Sequence, residues 1–325
     1  MAHYLVTGAA GFIASKVAEF LLDAGHTVAG VDDLNDAYDV ALKEWRLKRL
    51  LPRKGFAFHK IDICDRAALA GVWAKGPRPE AIVNLAARAG VRQSVENPWV
   101  YIDTNVTGTL NLLEQARTTG VKKFILASTS SLYGAHNPMP YREDADTNRT
   151  LSPYAASKKA AEVLCYTYHY LYSLDVTVVR YFTVYGPAGR PDMSLFRFVQ
   201  WIHEGKPVLV YGDGRQTRDF TYVEDIARGT IAALKPAGYE TVNLGSDKPA
   251  VLIDVIHGIE RRVGKKANLI FQPRHPADVT ATWADIGKAR SFLGWEPKVD
   301  IEEGVENLIE WYAQNRSWAS KVDTR

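Results

Sequence analysis

Tyr154-Ala155-Ala156-Ser157-Lys158 sets a phenol and an ammonium four residues apart, on one face of the segment if it is helical. A phenol with its ordinary pKa of about 10 is a poor base at neutral pH, but nearby positive charge favours the phenolate and makes it a usable proton acceptor. Such a pair on its own also suits a solvated helix surface. Upstream, Ser128-Thr129-Ser130-Ser131 closes an apolar run and can offer a hydroxyl partner to a reacting oxygen. Further upstream, Thr7-Gly8-Ala9-Ala10-Gly11-Phe12-Ile13-Ala14 follows one apolar run and begins a helical one. In this GxxGxxA pattern Gly8 permits a tight turn, Gly11 lets backbone approach a pyrophosphate, and small Ala14 lets the helix pack on a sheet. The N–H groups at the helix start then bind phosphates. Asp32 ends the next apolar run, where a carboxylate binds a ribose diol; the bland alternative is a strand-end cap. With Asp33 beside it, a 2′-phosphate would be repelled, so the expected cofactor is NAD and not NADP.

These groups need elements to hold them. Short apolar runs at 4–7, 27–31, 56–61, 81–85, 123–128 and 176–181 read as strands, and 14–24, 106–119 and 154–172 carry helical periodicity. Strands alternating with helices predict an α/β fold, a doubly wound parallel Rossmann sheet with ligands at the strand C-termini. Asp62 and Ile63 after the third strand could face an adenine, and small Leu85-Ala86-Ala87 after the fourth could let backbone pass a flat cofactor. From about residue 183 the texture changes to clustered Gly, Pro and aromatic residues, while 220–234 reads as a strand-turn-helix that returns to the first lobe. The expected division is therefore 1–182 with a return of about 220–245 as the NAD-binding domain, and 183–325 as a smaller, interleaved substrate lobe.

Composition narrows the classes. At roughly 150 residues per unit, 325 residues make about two units. Apolar residues at 46% and charged residues at 24% exclude a disordered or fibrous chain. Forty basic against 37 acidic residues leave +3, spread without long runs, so neither nucleic acid nor a membrane surface is an expected partner. No apolar stretch reaches the roughly 18 residues of a membrane span, and no basic leader precedes the first strand, so the cytoplasm is the expected location. Cys64 and Cys165 are far apart without CxxC spacing, which predicts buried free thiols and no metal site.

The chain resembles the extended short-chain dehydrogenase/reductase family of nucleotide-sugar enzymes over essentially its whole length, above all its UDP-glucuronate 4-epimerase branch. The resemblance is carried by 6–13, by Asp33-Leu34-Asn35-Asp36 with Tyr38-Asp39 and Leu42-Lys43, and by Ala86-Ala87-Arg88-Ala89-Gly90-Val91-Arg92. Its strongest carrier is Tyr181-Phe182-Thr183-Val184-Tyr185-Gly186-Pro187 continuing to Gly189-Arg190-Pro191-Asp192-Met193, while Arg218-Asp219-Phe220-Thr221-Tyr222-Val223 and Ala284-Asp285 are shared more widely. The family usually has Gly where this chain has Ala14.

The resemblance implies that Tyr154 takes the proton of a sugar 4-hydroxyl while hydride leaves C4 for NAD, that Lys158 binds the nicotinamide ribose and depresses the tyrosine pKa, and that Thr129 bonds the reacting oxygen. A 4-keto sugar then turns over and takes hydride back on its other face. The cofactor set is completed by Phe12, Ile13, Asn35, Lys43 and Asn105. Related dehydratases carry Asp-Glu where this chain has Ser130-Ser131, and decarboxylating relatives keep the Glu. The serines disfavour both reactions and could, with Thr183 and Arg190, bind a sugar carboxylate; alternatively they are turn residues. Arg218 is the expected diphosphate clamp, with Arg274 a weaker second because His275 stands where relatives place Arg. Asp278 is expected at the ribose, Leu209 and Tyr211 at the uracil, with a core aromatic the alternative for Tyr211. Arg92 reads equally as a sugar or phosphate contact and as a surface ion pair. UDP-glucuronate inverted at C4 to UDP-galacturonate is the leading expectation. A neutral-sugar epimerase acting on UDP-glucose or a UDP-N-acetylhexosamine comes second, and a non-catalytic NAD-binding module third. The aromatic residues Tyr166, Tyr168, Tyr170 and Tyr172 around one helix predict a homodimer through it and the helix near 106–119.

Overall fold

Short β-branched runs separated by amphipathic stretches require crossover connections, and the computed structural model, which describes residues 1–275 and 277–324, has them. The first part runs β1 (His3–Thr7), α1 (Phe12–Asp23), β2 (Thr27–Asp32), α2 (Val40–Leu50), β3 (Phe56–Lys60), α3 (Arg66–Lys75), β4 (Ala81–Asn84), α4 (Val91–Glu96), α5 (Trp99–Ile102), α6 (Gly108–Thr119), β5 (Lys123–Thr129), α7 (Pro153–Tyr172) and β6 (Asp175–Tyr181). There follow β7 (Thr183–Tyr185), α8 (Ser194–Glu204), β8 (Pro207–Tyr211), β9 (Thr217–Arg218), β10 (Phe220–Tyr222), α9 (Val223–Ala232), β11 (Tyr239–Leu244), β12 (Ala250–Val251), α10 (Leu252–Val263), β13 (Asn268–Gln272) and α11 (Ile301–Ala319).

Seven strands form one parallel sheet in the order β11-β6-β5-β4-β1-β2-β3. Strand order reverses between β1 and β4, which opens a crevice at their C-terminal ends. Neighbouring residues of one strand serve opposite faces: Val6, Val83, Ile125 and Val179 join one apolar cluster, Leu5, Ile82, Phe124 and Val178 the other. Every residue of β4 and β5 is buried, as a sheet covered on both faces demands. A third cluster unites α8, α10 and α11 with β8 and also takes Leu42 from α2, with Trp45 packed against it. One helix of the first part therefore reaches into the core of the second.

The chain does return to the sheet, through β11, which pairs with β6 along its full length, while α9 packs on α1. The strand at 220 does not join it; β10 pairs with β7 in a separate two-stranded ribbon. The helix expected from 106 begins at Gly108, after a single π turn over Asp103–Thr107. Helix α7 starts where a hydroxyl and a proline coincide: Ser152 accepts from the Ala155 N–H at 3.2 Å and Pro153 takes the first position. Its buried face carries Lys158, Glu162 and Cys165. Tyr168 is also buried, its hydroxyl donating to Glu114 at 2.5 Å, so the aromatic surface of α7 consists of Tyr166, Tyr170 and Tyr172. Both cysteines are free, but only Cys165 is buried. Cys64 is half-buried because it follows the exposed turn at Asp62, and its thiol donates to the Asp103 carbonyl at 3.3 Å.

Candidate active site

The crevice begins where β1 turns into α1. Gly8 adopts φ +69°, and a Cβ there would stand 2.9 Å from the Ala86 nitrogen; at Gly11 it would stand 2.7 Å from the Gly8 carbonyl oxygen. The loop therefore hugs the end of β4 and leaves room only for glycine. Thr7 fixes that approach, donating to Asn84 at 2.8 Å and accepting from the Leu85 and Ala86 N–H groups. Asp32 is buried and accepts from Ala10 N–H at 3.0 Å and Leu34 N–H at 2.8 Å. Burial raises its pKa, and these N–H groups with Lys43 oppose the rise. Lys43 donates to Asn35 at 3.1 Å, and burial pulls its pKa down. Phe12, Ile13, Asp62, Ile63, Leu85, Ala86 and Ala87 line the same wall. Asn105 stands behind it, its amide holding both backbone polar groups of Arg88 and the Ser157 hydroxyl, each at 2.9 Å.

Tyr154 and Lys158 face the middle of the cleft from the first turns of α7. Lys158 donates to the Ala127 carbonyl at 3.0 Å. Burial lowers its pKa to about 8, against the pull of Glu162. Burial pushes the Tyr154 phenol up, and the groups that oppose it are a hydrogen bond with Thr129 and the positive charge of Arg190. Thr129 also bonds Ser131, through its hydroxyl at 3.2 Å and through the Ser131 N–H at 3.2 Å, so Ser131 extends the hydroxyl row that starts at Tyr154.

Beyond the tyrosine the wall is built from long side chains that hold one another. Arg190 pairs with Asp192 through two hydrogen bonds of 3.1 and 2.6 Å and reaches the Ala89 carbonyl. Arg92 pairs with Asp278, at 2.5 Å, and its guanidinium lies 3.9 Å from the centre of the Tyr211 ring. Arg92 is thus ion-paired and also lines the cavity. Arg218 donates to the carbonyls of Thr217, Val279 and Thr280. Among the described residues it makes no ion pair, and its burial lowers its pKa. Thr183, Leu209 and Tyr211 line this end too, whereas Arg274 is exposed and outside the wall. Sequence reasoning missed Arg197, which lines the cavity from α8 and donates to the Thr324 carbonyl at 2.6 Å. An arginine inside the apolar run 195–199 carries no motif, so nothing local marks it.

These walls enclose one continuous cavity of about 910 Å³, from Gly8 and Asp32 past Tyr154 to Arg218 and Asp278. A glycine cradle, a buried carboxylate at the end of β2 and small residues at the end of β4 suit a dinucleotide at one end. The profile of the NAD-dependent epimerase/dehydratase family matches residues 4–245. The chain belongs to this family. It is 57% identical over 316 residues to a UDP-glucuronate 4-epimerase of Thermodesulfobacterium geofontis, covering 97% of each chain. Its fold is similar to the crystal structure of a Bacillus cereus UDP-glucuronic acid 4-epimerase in complex with UDP-glucuronic acid and NAD, with a TM-score of 0.89, 36% identity, and coverage of 96% of this chain and 99% of the other. It is equally similar to a UDP-glucose 4-epimerase of Thermotoga maritima, with a TM-score of 0.90, 32% identity, and coverage of 97% and 99%. Backbone likeness therefore does not separate an acidic from a neutral sugar. As an epimerase of this family the enzyme is an isomerase and its cofactor is NAD.

Proposed function

We propose that the enzyme inverts C4 of UDP-glucuronate to give UDP-galacturonate through a transient 4-keto sugar. The observation that carries the reading is the wall beside Tyr154. Thr129, Ser130, Ser131 and Thr183 present neutral hydroxyls, Arg190 presents a guanidinium held in place by Asp192, and positions 130 and 131 hold no carboxylate. Hydroxyls and a guanidinium recognise a sugar carboxylate without repelling it. Serines do not supply the acid and base that eliminating water across C5–C6 requires. The 57% identity to a UDP-glucuronate 4-epimerase supports the same choice over the neutral-sugar epimerase.

In this reading the Tyr154 phenolate takes the 4-hydroxyl proton and later returns it, Thr129 holds the reacting oxygen, and Lys158 binds the nicotinamide ribose. Bound NAD supplies reversible hydride acceptance at C4. Gly8, Gly11, Phe12 and Ile13 hold its pyrophosphate, Asp32, Asn35 and Lys43 its adenosine ribose, Asp62 and Ile63 its adenine, and Leu85, Ala86 and Ala87 its nicotinamide half, with Asn105 bracing the Arg88 backbone behind them. Arg218 binds the diphosphate with Arg92 and Arg197 beside it, Asp278 the uridine ribose, Leu209 and Tyr211 the uracil. Residues 1–182 with 220–245 act as the NAD-binding domain and 183–325 as the nucleotide-sugar lobe.

A homodimer through α7 is part of the proposal. Val163, Tyr166 and Tyr170 form an exposed stripe at helical spacing, and exposed Trp99 and Ile102 lie on α5, which packs against the same helix. Among the described residues no helix is long and apolar enough to cross a membrane, and the proposed location is the cytoplasm. Light scattering giving a monomer would remove the dimer. For the reaction, the protein is incubated separately with UDP-glucuronate and UDP-glucose and the anomeric proton signals are followed. Galacturonate signals growing from the first sample are expected. Turnover of UDP-glucose alone would assign the enzyme to the neutral sugars, and no turnover with NAD bound would leave a binding module.

A further inference from the structure

Arg46 lies on α2, 3% exposed, and does not line the cavity, yet its guanidinium is fully hydrogen-bonded. Nε and Nη2 both donate to the Ala188 carbonyl, at 3.0 and 2.6 Å, and Nη2 also donates to the Gly189 carbonyl at 3.2 Å. Nη1 donates to the Ala10 carbonyl at 3.1 Å and to the Tyr38 hydroxyl at 2.7 Å. All five N–H groups of the guanidinium are used, and none of the acceptors is a carboxylate. The ring of Phe12 lies 5.7 Å from the guanidinium and that of Tyr38 5.6 Å.

The two backbones that Arg46 joins are functionally distinct. Ala10 belongs to the phosphate loop, between Gly8 and Gly11. Ala188 and Gly189 lead directly into Arg190, and Ala188 is held at φ +53°, a left-handed conformation that an alanine adopts only under constraint. A two-pronged grip on its carbonyl is such a constraint. Downstream, Arg190 is anchored at its tip by Asp192 and at Ala89. Its backbone root is thus fixed by Arg46 and its tip by Asp192.

We propose that Arg46 is a positioning residue that ties the phosphate loop to the turn bearing Arg190, so that the seat of the cofactor and the placement of the carboxylate-binding arginine are set by one guanidinium. The proposal deepens the assignment of UDP-glucuronate as substrate and rests on it. Lysine at this position keeps the charge but offers three N–H groups on one nitrogen, which cannot span Ala10, Ala188 and Gly189 together.

Arg46→Lys is compared with wild type at saturating NAD. KM for UDP-glucuronate is expected to rise about five- to twentyfold while the inhibition constant of UDP, which has no sugar carboxylate, stays within about twofold; coupling of this size is ordinary for residues in one network. In the Arg190→Leu background the same substitution is expected to add nothing. Tyr38→Phe, which removes a single acceptor and spares the turn, is expected to shift KM about twofold in the same direction, and it decides the matter if Arg46→Lys does not fold. An unchanged KM, an equal loss for UDP and UDP-glucuronate, or full additivity with Arg190→Leu overturns the coupling. A wild type that turns over UDP-glucose but not UDP-glucuronate instead rejects the substrate assignment, and the two failures are told apart by the wild-type sample alone.

Discussion

At the β1–β4 end of the cleft the wall is made of backbone N–H groups and small residues whose places follow from the sheet, with Gly8 packed against Ala86 and Asp32 already holding two N–H groups. At the other end they are long side chains from separated segments: Arg92 with Asp278, Arg190 with Asp192, and Arg218 on three carbonyls. The first region can be damaged only by filling space or removing a fixed group. The second holds its cations ready by internal pairing, so a ligand anion has to compete with, or share, a partner already there. Shape therefore governs one end and charge balance the other, with Tyr154 at the junction.

The contrast breaks most sharply at Gly8. Gly8→Val puts a branched side chain at φ +69° and within 2.9 Å of the Ala86 backbone. Purified protein is expected to carry no NAD and to show no turnover, and stoichiometric NAD in that variant would mean that space does not govern this end. At the junction, Tyr154→Phe is expected to retain NAD and lose about 10³-fold in kcat, within the range ascribed to a positioned acid–base group. An unchanged rate would remove Tyr154 as the base.

Charge at the far end is read by pH. With the Tyr154 phenolate as the proposed base, the rate should fall as pH drops through the Tyr154 pKa, which Arg190 lowers. Arg190→Leu should raise it and move the acid limb of kcat toward higher pH, besides weakening UDP-glucuronate. A limb that stays in place would confine Arg190 to substrate binding. The smallest effect belongs to Asp278→Asn, which releases Arg92 as it removes an acceptor. Opposing consequences should hold the change in KM to less than about tenfold, with stronger salt dependence. A hundredfold loss would make Asp278 an indispensable ligand contact and deny the exchange of partners.

The two ends also differed in how legible they were. Glycine spacing, strand period and the carboxylate at the end of β2 are local signals, and the structure has the parallel sheet they predict. The pair Arg92 and Asp278 is 186 residues apart, and neither neighbourhood encodes the other. Arg46 looks like any surface arginine of a helix that also carries Lys48 and Arg49; only its burial against 188–189 gives it a role. Asn105 and Tyr168 were readable as polar or aromatic positions, but whether they face a ligand, the backbone or solvent is decided by distant packing.

The central claim is that C4 is inverted by hydride leaving and returning within one active site. UDP-glucuronate deuterated at C4 tests it most directly, with the product examined by NMR and mass spectrometry in ordinary water. The account predicts UDP-galacturonate that keeps the deuterium at C4. Product with hydrogen from solvent at that carbon, or no galacturonate at all, would contradict it.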